Sequence, residues 1–245
     1  MGNTTVLITG ANRGIGKGLL EIYLARPSHT VIAAVRDLST ATPLESLPKG
    51  KDSALIIVKI DSASETDPAA AIEILKTQHS ISALDIVIAN AGIAKAAPCP
   101  VSSIPVAEIH DHLQVNGIGP IVLFQAVFPL LGKGAKFIYT SSAMATISAM
   151  ELRPFPLSAY GASKAFGNYF TRKIHFENEN LIAFSVDPGF VQTDMGNRGA
   201  KAAGLEKAYT PTNECAEGFV KQIDEATREK TSGHFAGWNG EDFPW

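Results

Sequence analysis

The sequence of 245 residues has only two cysteines and few charged side chains. Cys99 and Cys215 form no CxxC pair and have no zinc-site spacing, so neither a disulfide framework nor a metal site is expected. Charged residues make up 18% of the chain and the formal net charge is −3, so no basic surface for nucleic acid or an anionic membrane is expected. The scarcity of cysteine favours a reducing compartment.

The first residues of the chain contain neither a basic segment nor a long apolar run. We therefore expect no targeting segment and a cytoplasmic protein. Residues 112–132 carry no formal charge, but they include Gln114, Asn116 and Gln125. Because these polar side chains would be unfavourable in lipid, the stretch is interpreted as a buried helix of a soluble domain rather than a membrane span.

Short apolar runs alternate with longer amphipathic segments along the chain. Strands are predicted at residues 4–9, 30–35, 54–60, 84–89, 135–140, 181–186 and 234–236. Helices are predicted from a glycine-rich turn to about residue 26, and at 67–77, 107–131, 159–177 and 213–229. Strands that are nearly continuous apolar runs are typical of a parallel sheet covered on both faces. The sequence predicts a single doubly wound, Rossmann-like α/β domain with three layers over residues 1–245.

Three glycines follow the first strand and precede the first helix: Gly10, Gly14 and Gly16. Glycine permits a tight turn and a close approach of the backbone to a ligand, and the free N–H groups of a helix N-terminus suit an anion. Ligands of doubly wound folds bind outside the carboxyl ends of the strands, where this turn lies. A glycine-rich turn alone is also common as a simple helix entry.

Three motifs in this order resemble the short-chain dehydrogenase/reductase family: TGxxxGxG from residue 9, NAG from residue 90 and YGASK from residue 160. The resemblance covers nearly the whole chain. Segments such as ATPLESL, HFENENLIAF and DPGFVQTDMG are more closely similar to fungal norsolorinic acid ketoreductase-type enzymes. The resemblance implies a sheet of about seven strands and NADP(H)-dependent interconversion of a ketone and a secondary alcohol.

The resemblance also implies which residues bind the cofactor, from its phosphates and adenine to its ribose and nicotinamide. They are Gly10, Asn12, Arg13, Gly14, Ile15, Gly16, Asp61, Ser62, Asn90, Ala91, Gly92, Tyr160, Lys164, Pro188, Gly189, Val191 and Thr193. Two assignments have structural alternatives: Asp61 could cap a helix, and Asn90 could only tie neighbouring strands together.

The end of the second strand bears on the choice between NAD and NADP. An arginine there contacts a 2′-phosphate, whereas a carboxylate accepts from a 2′-hydroxyl. The sequence has Arg36 followed by Asp37, and Arg13 in the glycine turn adds a second cation. Because Asp37 can instead cap the short helix that follows, NADP(H) is favoured.

Tyr160 and Lys164 stand four residues apart, so they share one face of a predicted helix. A nearby ammonium favours the phenolate and is expected to lower the pKa of Tyr160. The resemblance implies that Tyr160 donates the proton and that Ser142 binds the substrate carbonyl, although Ser141 and Thr146 lie close in sequence. It also implies that Asn116 bends its helix and holds a water in a proton relay; a buried structural amide is the alternative.

Met144, Phe190 and Met195 are expected, with Ser142 and Tyr160, to contact the substrate. Other apolar side chains of the segment 143–157 could wall the same pocket or simply anchor the loop. The fungal resemblance favours an aromatic or polyketide-like ketone. The predicted helices 107–131 and 159–177 are the usual dimerisation faces of the family, so a homo-oligomer is expected.

His110, Asp111 and His112 do not share one side of a helix, so a solvated face is predicted there instead of a metal site. The alternative to an oxidoreductase is a non-redox protein on the same fold. Such a protein would be a nucleotide sensor, or a cyclase or isomerase that keeps NADP as a structural ligand. A complete set of Asn116, Ser142, Tyr160 and Lys164 favours redox chemistry.

Overall fold

A computed structural model describes residues 3–95 and 98–245. Its seven strands form one sheet in the order β3-β2-β1-β4-β5-β6-β7, and every neighbouring pair is parallel. The strands are β1 Thr4–Thr9, β2 His29–Val35, β3 Ala54–Lys59, β4 Leu84–Ala89, β5 Leu131–Thr140, β6 Ile182–Asp187 and β7 Phe235–Gly237. The predicted doubly wound parallel sheet is confirmed.

Helices cover both faces of the sheet. They are α1 Gly14–Ala25, α2 Thr42–Glu45, α3 Asp67–His79, α4 Val106–His112, α5 Gly119–Val127, α6 Ser158–Glu177, α7 Asp194–Ala202 and α8 Thr212–Glu225. A π-helical turn, Leu113–Ile118, joins α4 to α5. Helices α1 and α8 pack together against one face, and α3, α5 and α6 supply residues to the core on the other.

The two cores explain why the strands are apolar without alternation. Successive residues of a strand point to opposite faces of the sheet. In β1, Val6 and Ile8 belong to one core cluster and Leu7 to the other, and all three are fully buried. A strand in the middle of such a sheet therefore needs apolar side chains at every position.

Two element boundaries differ from the prediction by four residues each, and one helix was missed. β5 begins at Leu131, four residues earlier than predicted, and α8 ends at Glu225 instead of 229. Beyond α8, the Arg228 guanidinium donates to the carbonyls of His175 and Leu181, so a tertiary contact overrides the helical pattern. Helix α7 was not predicted, because it has few apolar residues; it begins where the Thr193 hydroxyl accepts from the Gly196 N–H.

Within the described residues, one helical run, Val106–Leu130, is long enough and apolar enough to cross a membrane, judged by length and composition alone. Core helices pass the same test. This run is divided by the π turn, and its α5 part packs against α3, β4 and β5. That packing is the packing of a helix in the outer layer of an α/β sandwich.

Candidate active site

The glycine turn after β1 lies at the carboxyl edge of the sheet. Gly10 and Gly14 have φ of +67° and +52°, a left-handed conformation that side chains rarely adopt. A methyl group on Gly16 would overlap the carbonyl oxygen of Gly10. Arg13 precedes α1 without a side-chain cap, and the first turn of α1 has no acidic residue. No side chain of Arg13 or of the first turn of α1 therefore competes for the first N–H groups of this helix.

The ends of β1 and β4 are tied to each other beside this turn. The Thr9 hydroxyl accepts from the N–H groups of Asn90 and Ala91, both at 3.0 Å. The Asn90 amide donates to the Thr9 carbonyl at 2.9 Å, so Asn90 does tie neighbouring strands together. Thr9 was missed as a site residue, although its place at the end of a strand was the available signal.

Asp61 and Ser62 follow β3 at the same edge. The Asp61 carboxylate accepts from the N–H of Ala63 at 2.9 Å and so stabilises the turn. Helix α3 begins after Thr66, and the Ser64 hydroxyl accepts from the Asp67 N–H at 3.1 Å. The alternative that Asp61 caps a helix is therefore wrong for α3, because the turn uses its carboxylate.

Arg36 is exposed at the end of β2. The neighbouring Asp37 carboxylate accepts from the backbone and hydroxyl of Ser39, at 2.9 and 2.8 Å, and these bonds lower the pKa of Asp37. The interpretation of Asp37 as a cap is thus confirmed. Asn12 donates to the Thr40 hydroxyl at 2.9 Å, which connects the glycine turn to the short helix after Arg36.

The segment after β6 forms the opposite wall of the cleft. Gly189 has φ of +76°, and Pro188 and Val191 are buried. A methyl group on Gly14 would lie 3.1 Å from the Thr193 side chain. The structure therefore brings the glycine turn and the Pro188–Thr193 segment together, as the motif positions predict.

Lys164 and Tyr160 lie on the buried face of α6. The Lys164 side chain is 3% exposed; its Nζ donates to the Thr140 carbonyl at 2.7 Å and lies 5.9 Å from the centre of the Tyr160 ring. Burial lowers the pKa of Lys164 to about 7. A methyl group on Gly92 would lie 3.3 Å from this Nζ, so the NAG turn and the lysine face the same space.

The expected lowering of the Tyr160 pKa by Lys164 is wrong. Burial raises the pKa of Tyr160 to about 12, the hydrogen bond with Ser142 lowers it, and the charge of Asp187 raises it. Removal of water from around the phenol disfavours its charged form more than the nearby groups favour it. Tyr160 therefore keeps its proton at neutral pH.

The Ser142 hydroxyl lies near enough to Tyr160 to lower the pKa of the phenol. Its Oγ also accepts from the Met144 N–H at 3.2 Å, which begins a short helix and fixes the side chain. Ser141 and Thr146 have buried hydroxyls without a hydrogen-bond partner among the described residues. That Ser142, of these three, binds the substrate oxygen stays a prediction.

Asn116 is fully buried in the π turn. Its side-chain oxygen accepts from the Ile93 N–H at 2.8 Å, and its amide donates to the Ile93 carbonyl and to the Ser163 hydroxyl. The buried structural amide is thus what the side chain provides here. An α-helical bond to the Asn116 carbonyl would come from residue 120, but Pro120 has no N–H. That carbonyl accepts from the Tyr139 hydroxyl at 2.7 Å.

Asp187 was missed by the sequence analysis. It is 6% exposed, and its carboxylate accepts from the N–H groups of Ala143 at 2.7 Å and Gly189 at 3.1 Å. One carboxylate therefore joins the segment that carries Ser142 to the segment after β6. The signal was its position directly after a strand, where site residues of this fold lie.

A shallow cavity, open to solvent, adjoins Tyr160. It is lined by Lys95, Cys99, Ile104, Glu108, His112, Pro156, Leu157, Ser158, Ala159 and Tyr160. The predicted contacts Met144, Phe190 and Met195 are partly buried but do not line this cavity. Their contact with substrate stays a prediction. The loop residues Ile147, Met150, Leu152 and Phe155 are more than half exposed.

The predicted solvated face is wrong for His112, which is 2% exposed. Its Nε2 accepts from the backbone N–H of Lys95 at 3.2 Å, and its Nδ1 bonds to the Glu108 carbonyl at 2.7 Å. The loop after β4 folds over this side of α4 and covers the imidazole. His110 and Asp111 are exposed as predicted, and Asp111 pairs with the Lys95 ammonium at 2.6 Å.

The chain is similar in sequence to a known family of proteins over most of its length. The sequence model of the family described as short chain dehydrogenase matches residues 4–203. The norsolorinic acid ketoreductase nor1 of Dothistroma septosporum is 46% identical over 99% of this chain and 92% of its own length. The norsolorinic acid ketoreductase of Aspergillus parasiticus is 44% identical over 99% of this chain and 91% of its own length.

Among solved structures, NADPH-bound carbonyl reductase from chicken fatty liver superposes with a TM-score of 0.85 at 27% identity, with both chains fully covered. The carbonyl reductase Sniffer of D. melanogaster gives a TM-score of 0.84 at 25% identity, again over both full chains. Both solved structures therefore share the fold of this chain over its full length.

Proposed function

The chain belongs to the short-chain dehydrogenase family of oxidoreductases, and on that premise we propose that it is an NADPH-dependent ketoreductase, which reduces a ketone to a secondary alcohol. One observation carries the proposal: Tyr160, with the Ser142 hydroxyl nearby and buried Lys164 one helical turn away, lies at the wall of a cavity. The open helix N-terminus of the glycine turn lies at the same edge of the sheet.

The residues at this edge fit a nicotinamide dinucleotide. The uncapped N-terminus of α1 suits a pyrophosphate, and the glycine at position 16 lets the turn fold closely against Gly10 beside it. Asp61, Asn90 and the segment 188–193 would hold the adenosine and the nicotinamide. When bound, NADPH supplies the hydride.

The chain's own residues supply the acid and the charge stabilisation. Ser142 donates a hydrogen bond to the ketone oxygen, and Tyr160 gives that oxygen its proton. Lys164 stabilises the phenolate that remains and binds the ribose hydroxyls. Because Tyr160 keeps its proton at neutral pH, the site suits reduction. The side chain of Asn116 holds the loop after β4 at Ile93, and we propose that the π turn around it serves the proton relay.

Preference for NADPH is proposed to depend on Arg36. Its side chain is exposed at the end of β2, while the carboxylate of Asp37 is used by Ser39. We expect Arg36→Ala to weaken NADPH binding by about 10- to 100-fold, since a charge-assisted hydrogen bond contributes roughly 1.5–3 kcal/mol. NADH binding should stay nearly unchanged.

Cofactor fluorescence titration of wild type and variant measures both affinities. Arg198→Ala, an exposed arginine of α7, is the control and should leave both unchanged. Equal losses for NADPH and NADH in Arg36→Ala would show that Arg36 does not contact the 2′-phosphate.

For the substrate we propose an aromatic, polyketide-like ketone of fungal secondary metabolism. The named activity of the two fungal relatives supports this, as does the mixed lining of the cavity, with Ile104 and Leu157 beside Lys95 and Glu108. The test is NADPH consumption with a panel of aromatic polyketide ketones and simple aliphatic ketones. Tight NADPH binding without turnover of any ketone would favour the non-redox alternative.

We further propose that the protein is a homo-oligomer that uses α5 and α6. Phe128 beside α5, and Tyr169 and Phe176 on α6, are exposed aromatic side chains that such an interface would cover. Light scattering coupled to size-exclusion chromatography tests this; a monomer at micromolar concentration would reject it.

A further inference from the structure

Tyr139, on β5, lies between the two groups that shape the catalytic face of α6. It is fully buried, and its hydroxyl donates to the Asn116 carbonyl at 2.7 Å. The Nζ of Lys164 lies 5.0 Å from the centre of the Tyr139 ring. One side chain therefore contacts the π turn through its hydroxyl and the catalytic lysine through its aromatic face.

Two other positions make this arrangement possible. Pro120 cannot donate to the Asn116 carbonyl, so the carbonyl is left for the phenol. A methyl group at Gly167 would overlap the ring of Tyr139, so glycine on α6 leaves the space that the ring fills. Pro120 at the π turn and Gly167 on α6 thus both accommodate a tyrosine at position 139.

The surroundings of Lys164 contain little to compensate its charge. Within the described residues no carboxylate pairs with it, and its Nζ meets the Thr140 carbonyl and the Tyr139 ring. The other titratable group that faces it is Tyr160 on its own helix. Burial lowers the pKa of Lys164. An ammonium within about 6 Å of an aromatic centroid is attracted to the ring, more strongly where water is excluded.

We propose that Tyr139 is a positioning residue for the reaction: its ring stabilises the Lys164 ammonium, and its hydroxyl holds the π turn at Asn116. The proposal rests on the proposed catalytic function of Lys164. Removal of the ring's attraction should lower the pKa of Lys164 further. The lysine would then lose its proton at lower pH, and the high-pH limb of kcat would move to lower pH.

The ring and the hydroxyl can be tested separately. Tyr139→Phe keeps the ring and removes the hydroxyl bond. Phenylalanines with increasing fluorination at position 139 keep the shape and weaken the negative ring face. Tyr169→Phe, at an exposed tyrosine of α6, is the matched control. The pKa of Lys164 is measured directly by NMR titration of ε-¹³C-labelled lysine, with the signal assigned by its loss in Lys164→Arg.

We expect the fluorinated series to lower the pKa of Lys164 stepwise, by about 0.5–1 pH unit in total. We expect Tyr139→Phe to lower kcat about five- to tenfold, because the Asn116 carbonyl loses its hydrogen bond from the phenol, with little change in the Lys164 pKa. A Lys164 pKa that does not change across the series overturns the ring's role. A kcat of Tyr139→Phe within about twofold of wild type overturns the hydroxyl's role.

The NMR measurement needs no turnover. Wild-type protein that reduces no ketone would therefore contradict the proposed function, while a stepwise pKa change in the same protein would still support the contact between ring and ammonium. A ketoreductase whose Lys164 pKa ignores fluorination would leave the proposed function standing and reject the positioning residue.

Discussion

The glycine turn after β1 and the buried face of α6 lie at the same edge of the sheet, but they are built from different parts of the chain. The turn is a main-chain structure: two glycines with positive φ, a third without room for a methyl group, and the N–H groups of α1. The face of α6 depends on side chains, with Lys164 held by Thr140 of β5 and Ser142 held by the turn that follows it.

Burial separates the two regions as well. The two arginines near the turn, Arg13 and Arg36, are exposed to solvent. Lys164 is buried, and burial lowers its pKa to about 7. Binding of a phosphate needs cations that stay charged, whereas proton transfer needs groups whose pKa can be brought toward the working pH. The comparison indicates that the glycine turn and its arginines provide cofactor affinity, whereas the buried face of α6 provides the groups for proton transfer.

The sharpest test of this separation is Tyr160→Phe. The change keeps the ring and removes only the acid, so kcat should fall by about 10²–10⁴ while NADPH affinity stays nearly unchanged. Steady-state kinetics with a cofactor titration measures both. Tyr169→Phe, exposed on the same helix, is the control. A variant that keeps more than about a tenth of wild-type kcat would show that the proton comes from another group.

The opposite test changes only the main-chain end. A methyl group in Gly16→Ala would overlap the Gly10 carbonyl oxygen, so the turn must shift. With overpacking of about 1–3 kcal/mol, we expect NADPH affinity to fall by about 5- to 150-fold and the melting temperature to drop. Gly132→Ala, where a methyl group meets nothing within 4 Å, is the control. Unchanged NADPH affinity in Gly16→Ala would separate the turn from the phosphates.

The main-chain end was readable from the sequence because it depends on residues that are neighbours in the chain. Gly10, Gly14 and Gly16 stand within one turn. The strands β1 and β4 and the parallel direction of the strands followed from continuous apolar runs. Tyr160 and Lys164 were readable for the same reason, since four residues on a helix make one face.

The rest of the chemistry end could not be predicted, because it depends on long-range contacts. Nothing near Tyr139 in the sequence shows that it meets Asn116 and Lys164, and the burial of His112 depends on a loop 17 residues away. The predicted direction of the Tyr160 pKa shift was wrong for a similar reason. The spacing in the sequence shows that an ammonium is nearby, but only the packed structure shows how much water is excluded from the phenol.

The smallest expected effect comes from Asp187, which joins the two ends through Ala143 and Gly189. Its charge raises the pKa of Tyr160, although burial is the larger cause. Asp187→Asn keeps the shape and removes the charge, so the pKa of Tyr160 should fall. In alcohol oxidation the phenolate is the base, and activity rises as pH rises through this pKa. The rising limb should therefore move to lower pH, by about 0.5–1 unit.

Reduction at neutral pH should change only a few-fold in Asp187→Asn, because Tyr160 keeps its proton there in both proteins and only the link between Ala143 and Gly189 is altered. The pH profile of kcat for NADP⁺-dependent alcohol oxidation distinguishes loss of the Asp187 charge from displacement of Ser142. Displacement of Ser142 lowers kcat at every pH, whereas loss of the charge shifts the profile along the pH axis. Asp52→Asn removes an exposed carboxylate at a turn and should do neither. A limb that stays in place or moves to higher pH would mean that the field of Asp187 does not reach Tyr160, and that the carboxylate acts only as a link between the two backbone segments.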